Sequence, residues 1–334
     1  MKASKDWKER IADDEETRFR AHAETLLGIA RARDQGSSKK RALHTKGNIG
    51  LRARFTVLGD LPEEARVGLF REPGSYDAWV RYSNGSPSIQ SDRKGDIRGI
   101  AVKVLGVTGT QIIPELAAST TQDFLLIRTP STPVRNTDEF LALVRAAQSP
   151  ALLLPRLIGA VGFGRAFAIL KQGLKGLGAP IPSLASAHYY SALPIRFGEY
   201  AVRYALKPQA ESPPGARTGA KTPPDLGAEL RERLAKGAVS YDFQVQFFQD
   251  EARTPIEDAS RDWDSPYVTL GRLDLAAPGE DHEQVVARVE SLRFDPWHGL
   301  TEFRPLGDMM RARKVAYLVS AEERKGASEP TAMD

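Results

Sequence analysis

At 334 residues, 41% hydrophobic and 27% charged, the chain has the composition of an ordinary globular protein large enough to bury a sizeable core, and disorder is not the expected state. Its 47 Lys and Arg stand against 43 Asp and Glu, a net charge of +4 that gives no ground for nucleic acid or an anionic membrane as partner. Cysteine is absent, which removes disulfides, thiolate metal sites and thiol nucleophiles.

Residues 1–16 are densely charged and lack the apolar stretch of a secretory signal, which favours the cytoplasm. Residues 5–33 set Trp7, Ile11, Leu26, Leu27 and Ile29 among charges in a helix-favouring composition, and predict a helical arm ending at Gln35-Gly36-Ser37-Ser38. The period then changes to two. Leu51, Ala53, Phe55 and Val57 alternate with Arg52, Arg54 and Thr56, as on a strand with one buried face. Further strands are predicted over 76–84, 98–104, 124–127, 200–206, 239–248 and 268–275. Helices are predicted over 138–147, where Asn136 and Glu139 have the spacing of a capping box, around 157–173, over 228–235 and over 308–322. Strands interspersed with helices in this way suggest an α+β class whose antiparallel sheet can close into a barrel. The Pro- and Gly-rich stretch 207–227 reads as a long surface loop. The most apolar stretch, 151–170, is interrupted by Pro155, Arg156, Gly159, Gly162, Gly164 and Arg165, whereas a spanning helix needs ~20 largely uninterrupted apolar residues, so none is expected.

Gly162-Phe163-Gly164 resembles a fragment of a nucleotide-binding glycine pattern, but it lacks the third glycine and the preceding strand and reads as packing. The histidines (His22, His44, His188, His282, His298) show no i, i+4 ligand spacing, so zinc is not expected. Arg313 and Tyr317 stand four apart in a helical pattern and are therefore neighbours. A permanent cation beside a phenol favours the phenolate, the form that ligates ferric iron. Trp79, Arg81 and Ser83 share one face of a predicted strand, where an arginine and a hydroxyl suit a carboxylate and a histidine, or simply a polar sheet face. His44 lies in Arg41-Ala42-Leu43-His44-Thr45-Lys46-Gly47, just before the first alternating strand.

Taken in order, His44-Thr45-Lys46-Gly47, Arg81-Tyr82-Ser83, Asp96-Ile97-Arg98-Gly99-Ile100-Ala101-Val102-Lys103 and Arg313-x-x-x-Tyr317 resemble the signature blocks of the haem catalases. Thr129-Pro130 with Val134-Arg135 is similar to the family's distal-side segment, and Phe294-Asp295-Pro296-Trp297 with Arg304-Pro305-Leu306-Gly307 to the approach to its proximal helix. The resemblance covers residues 39–320, most weakly over 147–236, in a chain shorter than ordinary catalases, like the compact catalase-related haem proteins of bacteria.

The resemblance implies a catalase-like antiparallel β-barrel with surrounding helices. Its expected organisation is an N-terminal helical arm over 1–38, a haem-binding domain over 39–320 and a tail over 321–334. It implies haem b (iron protoporphyrin IX) as cofactor, with Tyr317 the iron ligand and Arg313 holding it as phenolate. Met309 and Phe140 would pack near the macrocycle, Arg41 and Arg81 would face its propionates, and Gly99 would let the backbone approach the ring closely. His44 would be the distal histidine that takes a proton from one peroxide oxygen and returns it to the other, and Ser83 the hydroxyl that orients it. The family's distal asparagine falls on Ile127, with Arg128 beside it, a departure that argues against efficient disproportionation of hydrogen peroxide. The implied activity is that of a haem-dependent peroxidase or weak catalase acting on hydrogen peroxide or organic hydroperoxides, with an electron donor the sequence does not name. Homo-oligomerisation is left open. One alternative is fatty-acid hydroperoxide rearrangement, as in the catalase-related allene oxide synthases, which carry threonine where this chain has Leu43. Another is a non-catalytic haem-binding protein that retained the fold.

Overall fold

The computed structural model describes residues 3–33, 44–86, 89–178, 181–209, 223–323, 329–330 and 332–333, with the backbone alone at 30–31, 33, 178 and 316–323. The alternation read in residues 51–57 is that of β1 (Gly47–Val57): Leu51, Ala53, Phe55 and Val57 turn inward, while Arg52 and Arg54 turn out to Asp281 and Asp77. The strands that follow are β2 (Gly74–Asn84), β3 (Arg98–Leu105), β4 (Thr121–Ile127), β5 (Tyr189–Tyr190), β6 (Ile195–Phe197), β7 (Tyr200–Pro208), β8 (Val239–Phe247) and β9 (Tyr267–Leu275). They form one antiparallel sheet in the order β5-β4-β3-β2-β1-β9-β8-β7-β6, and β5 also pairs with β7, so the expected barrel closes with β6 lying beside β5 along β7.

The interior is filled by side chains. Phe124 lies 4.9 Å from Phe243, and Phe243 lies 5.3 Å from Phe55, centroid to centroid. The buried hydroxyl of Tyr82 donates to Tyr241, whose own hydroxyl donates to the Leu184 carbonyl, so both of these interior hydroxyls are satisfied. Because the inside is full, any ligand site must lie on the outer face.

Helices cover parts of that face: α1 (Glu15–Arg33), α2 (Thr137–Ala147), α3 (Leu153–Val161), α4 (Phe163–Gly178), α5 (Leu226–Leu234), α6 (His282–Ser291) and α7 (Asp308–Glu323). Some expectations are corrected. The arm is helical only from Glu15, where Glu15 and Glu16 suit a helix N-terminus. Residues 5–14 instead bind the body through side chains: Trp7 Nε1 donates to the Glu199 carbonyl (2.9 Å), and Glu9 pairs with Arg304 and Arg311. The helix expected around 157–173 is two helices, because Gly162 takes φ +81° between them. The capping box is half formed. Asn136 accepts from the Glu139 N–H, but the Glu139 carboxylate turns to the Arg135 N–H and to Arg165. Most of the long loop read at 207–227 lies outside the described residues. Among those described, no helix is long and apolar enough to cross a membrane.

Candidate active site

Pairing register sets out the outer face of β2, β3 and β4 in rows. Ser83 stands opposite Gly99 and Gly99 opposite Ile127; the next row is Arg81, Ala101 and Leu125, and the next Trp79, Lys103 and Asp123. The last row is sealed, with Trp79, Lys103 and Asp123 buried. Ala101, Leu125 and Ile127 are half-exposed, so the first two rows present an apolar strip that the fold leaves partly open.

His44 stands at the edge of this strip, fastened at several points. Its ring Nδ1 lies 2.9 Å from Ser83 Oγ. Its N–H donates to the Gly85 carbonyl (3.2 Å), and its carbonyl accepts from Arg81 Nη2 (3.1 Å). The backbone at His44 has φ 56°, a left-handed conformation uncommon for a side-chain-bearing residue, and these bonds hold it there. Gly99 faces the imidazole: a Cβ at that position would lie 2.8 Å from His44 Cε1. The close approach expected at Gly99 is therefore made, in this structure, by the histidine ring.

Arg81, expected to meet a propionate, meets a carboxylate of the protein. Its Nε donates to Glu290 Oε1 (2.8 Å) and its Nη2 to Glu290 Oε2 (3.2 Å), and its side chain is 4% exposed. Glu290 comes from α6 and was not visible as a site residue in the sequence, since nothing in local spacing links positions 81 and 290. Asp92 was missed for the same reason. It is buried and accepts from Lys46 Nζ, from the side-chain amides of Asn48 and Asn84, and from the Leu226 N–H. Burial would push its carboxyl up, but these donors hold it below the ordinary value. Lys46 lies two residues past His44, so Asp92 ties the segment carrying the histidine to β1, β2 and α5.

A second group forms where α2, α4 and α7 meet. Phe140 and Met309, both half-buried, pack in one cluster with Val134, Leu157 and Ile169, and Met309 Sδ lies 4.0 Å from Thr132 Oγ1. On α7, Arg313 Nη1 lies 3.8 Å from Met310 Sδ. Burial pushes the Tyr204 phenol up, against its bond to Leu125 on β4 and the positive charge of Arg313 on α7. Tyr317 follows one turn after Arg313 on α7; its side chain, and Arg41 altogether, lie outside the described residues. The structure thus joins His44, Ser83, Gly99, Arg81 and Ile127 on one face, and Phe140 with Met309 separately.

A catalase-related peroxidase of Mycolicibacterium paratuberculosis is 30% identical over 307 residues, covering 86% of this chain and 89% of that protein. Among solved structures, a fungal catalase superposes with TM-score 0.67 at 19% identity, over 92% of this chain and 64% of its own. Catalase A of Saccharomyces cerevisiae gives 0.66 at 16% identity, over 98% of this chain and 68% of its own. This chain thus spans only part of the length of these larger catalases, and at such identities the likeness concerns the fold alone. No protein-family model matches. With the barrel, the blocks on its outer face and the identity to a relative matched over nearly its whole length, the chain belongs to the catalase family, among the catalase-related peroxidases.

Proposed function

We propose that the chain binds haem b against the half-open strip of β2, β3 and β4, with Tyr317 as iron ligand, and acts as a peroxidase or weak catalase on hydrogen peroxide or organic hydroperoxides. Its family makes it an oxidoreductase. The observation that carries the reading is His44: an imidazole pinned through ring and backbone beside apolar side chains that remain half-exposed among the described residues. The residues present fit the group. Ala101, Leu125 and Ile127 offer flat apolar surface, Phe140 and Met309 a second apolar wall, and Arg313 a cation one helical turn from Tyr317.

When bound, haem supplies the iron centre at which a peroxide is reduced. His44 takes a proton at Nε2 from the nearer peroxide oxygen and returns it to the departing one, which requires the tautomer whose Nδ1–H donates to Ser83 Oγ. Arg81 fixes the His44 backbone, and Glu290 fixes Arg81. Ile127 offers no hydrogen-bond donor and makes the surface beside His44 apolar, which suits an alkyl hydroperoxide better than a small hydrated one.

The absorption spectrum of the purified protein before and after peroxide tests the reading, with a Soret band that changes on addition as the expected result. Tyr317→Phe should alter the ferric spectrum and lower haem content; an unaltered spectrum would assign the iron to another residue. His44→Ala should keep haem and lose about 10²–10⁴-fold in peroxide turnover. A haem-loaded wild type that neither releases oxygen nor oxidises a reducing co-substrate would leave a binding protein only.

A further inference from the structure

The stretch 151–177, too broken to span a membrane, folds as α3 and α4, and its use is not accounted for by the haem site. One side of these helices is firmly docked. Leu157, Ala166 and Ile169 are buried, Gln172 Nε2 donates to Ser131 Oγ (2.9 Å) and the Thr132 carbonyl (2.8 Å), and Arg165 pairs with Glu139. The other side is apolar and open: Leu152, Phe163, Phe167, Leu174 and Leu177 are between 38% and 69% exposed. The rings of Phe163 and Phe167 lie 4.8 Å apart, tilted by 44° to each other, and both side chains remain largely exposed. Lys171 and Lys175, both exposed, share that side, since 167, 171, 174 and 175 follow one another at helical spacing.

Charge decides what covers such a face. The whole chain is nearly balanced, but α3 and α4 hold no Asp or Glu, and the open side of α4 carries Lys171 and Lys175. Exposed Arg93 and Lys94 extend the cationic area, since neighbouring Gly95 touches Leu177 (an added Cβ would be 2.9 Å from its carbonyl oxygen). A second copy docked through the same face would set lysine against lysine. A surface that accepts aromatic and leucine side chains while offering negative charge at the level of the lysines is a lipid headgroup layer. The face also borders the site: Gly176 packs against Thr129 (3.1 Å to Cγ2 from an added Cβ), two residues after Ile127.

We propose that α3 and α4 dock the protein on membranes rich in anionic phospholipid, lying on the surface without crossing it, and so present the site's rim to hydroperoxides of membrane acyl chains. The last step rests on the peroxide reading above; the docking does not.

Flotation of the haem-loaded full-length protein with vesicles tests it. The protein should float with equal parts phosphatidylglycerol and phosphatidylcholine and stay behind with phosphatidylcholine alone. Phe163→Ser with Phe167→Ser, and separately Lys171→Glu with Lys175→Glu, should each lower the bound fraction by more than about tenfold with an unchanged thermal midpoint. Equal flotation of wild type and both variants, or none at low salt, would overturn docking. So would a stable lipid-free dimer in light scattering that the Phe163→Ser, Phe167→Ser variant dissolves, which would assign the face to a second copy. Turnover of hydroperoxide presented in vesicles, against the same hydroperoxide in solution, reads the last step separately. The phenylalanine variant should lose only the vesicle rate; equal loss on both would overturn that step, and absent turnover with intact flotation would count against the peroxide reading alone.

Discussion

His44 shows how many partners the fold gathers around one histidine side chain. Its ring partner comes from β2, its backbone partners from Gly85 and Arg81, and the space its ring needs from Gly99 on β3. Ile127 completes that row from β4. A preorganised hydrogen-bond donor at a position where charge develops is worth ~2.7–4 kcal/mol in a dry site. Ile127→Asn should therefore raise oxygen release from hydrogen peroxide relative to turnover of bulky hydroperoxides. A wild-type rate already typical of a fast catalase, or no gain in the variant, would show that Ile127 is only part of the wall.

Among the helices, α2 depends on one carboxylate for its place in the wall. Glu139 is 6% exposed and accepts from Arg165 Nη2 (2.7 Å) and Nε (2.9 Å) and from the Arg135 N–H (2.7 Å). Burial would raise its pKa, but these donors hold it at about 2. Since the folded value lies below the ordinary 4.5, the stabilisation is complete above 4.5 and lost as pH falls through about 2. Glu139→Gln should cost about 3 kcal/mol at neutral pH, the low end for a broken buried pair because Arg135 is half exposed. Unfolding in urea at pH 7 and below 4.5 checks both: the gap between variant and wild type should narrow with acid, and a constant gap would rule out the carboxylate's charge.

Strands were legible where polar and apolar residue types alternate, including β2 and β3, which are buried on both faces over most of their length. The strands 76–84, 98–104, 239–248 and 268–275 stand close to their observed bounds because alternation survives in them. β5 and β6 were missed because two and three residues carry no period. α6 was missed because only Val285 and Val289 of His282–Ser291 are buried, too few to stand out in a polar segment. At the candidate site, order and spacing of short blocks singled out His44, Ser83 and Gly99, and the structure sets the three side by side. The partners Glu290 and Asp92 were not legible, since each acts across distances in the chain that only the closed sheet removes.

At the scale of the molecule, the tail is fastened to the barrel through buried charge. Lys103 Nζ lies 2.7 Å from Asp123 Oδ1 and 2.7 Å from Glu329 Oε2, and Glu329 Oε1 lies 3.1 Å from His298 Nδ1. Burial raises Asp123, whereas His298 and Lys103 hold Glu329 below its ordinary value against burial. Lys103→Ala would leave Asp123 and Glu329 without their shared cation and should destabilise the fold by about 3–5 kcal/mol. Adding Asp123→Asn should recover part of that loss, a coupling readable in a double-mutant cycle by urea denaturation. A simple sum of the two single effects would show that the groups do not act together.

Closure of the sheet has a further consequence for how the protein behaves at high concentration. An open sheet ends in a row of unsatisfied amides and carbonyls on which another chain can add a strand, the usual start of aggregation. Here β5 bonds to both β4 and β7, which takes the ends of the ring out of play. The short strand β6 is itself covered, because Ile195 bridges to Pro305 and the Arg196 N–H donates to the Arg304 carbonyl. The described barrel therefore offers no extended template for strand addition, and self-association through this sheet must first unfold part of it.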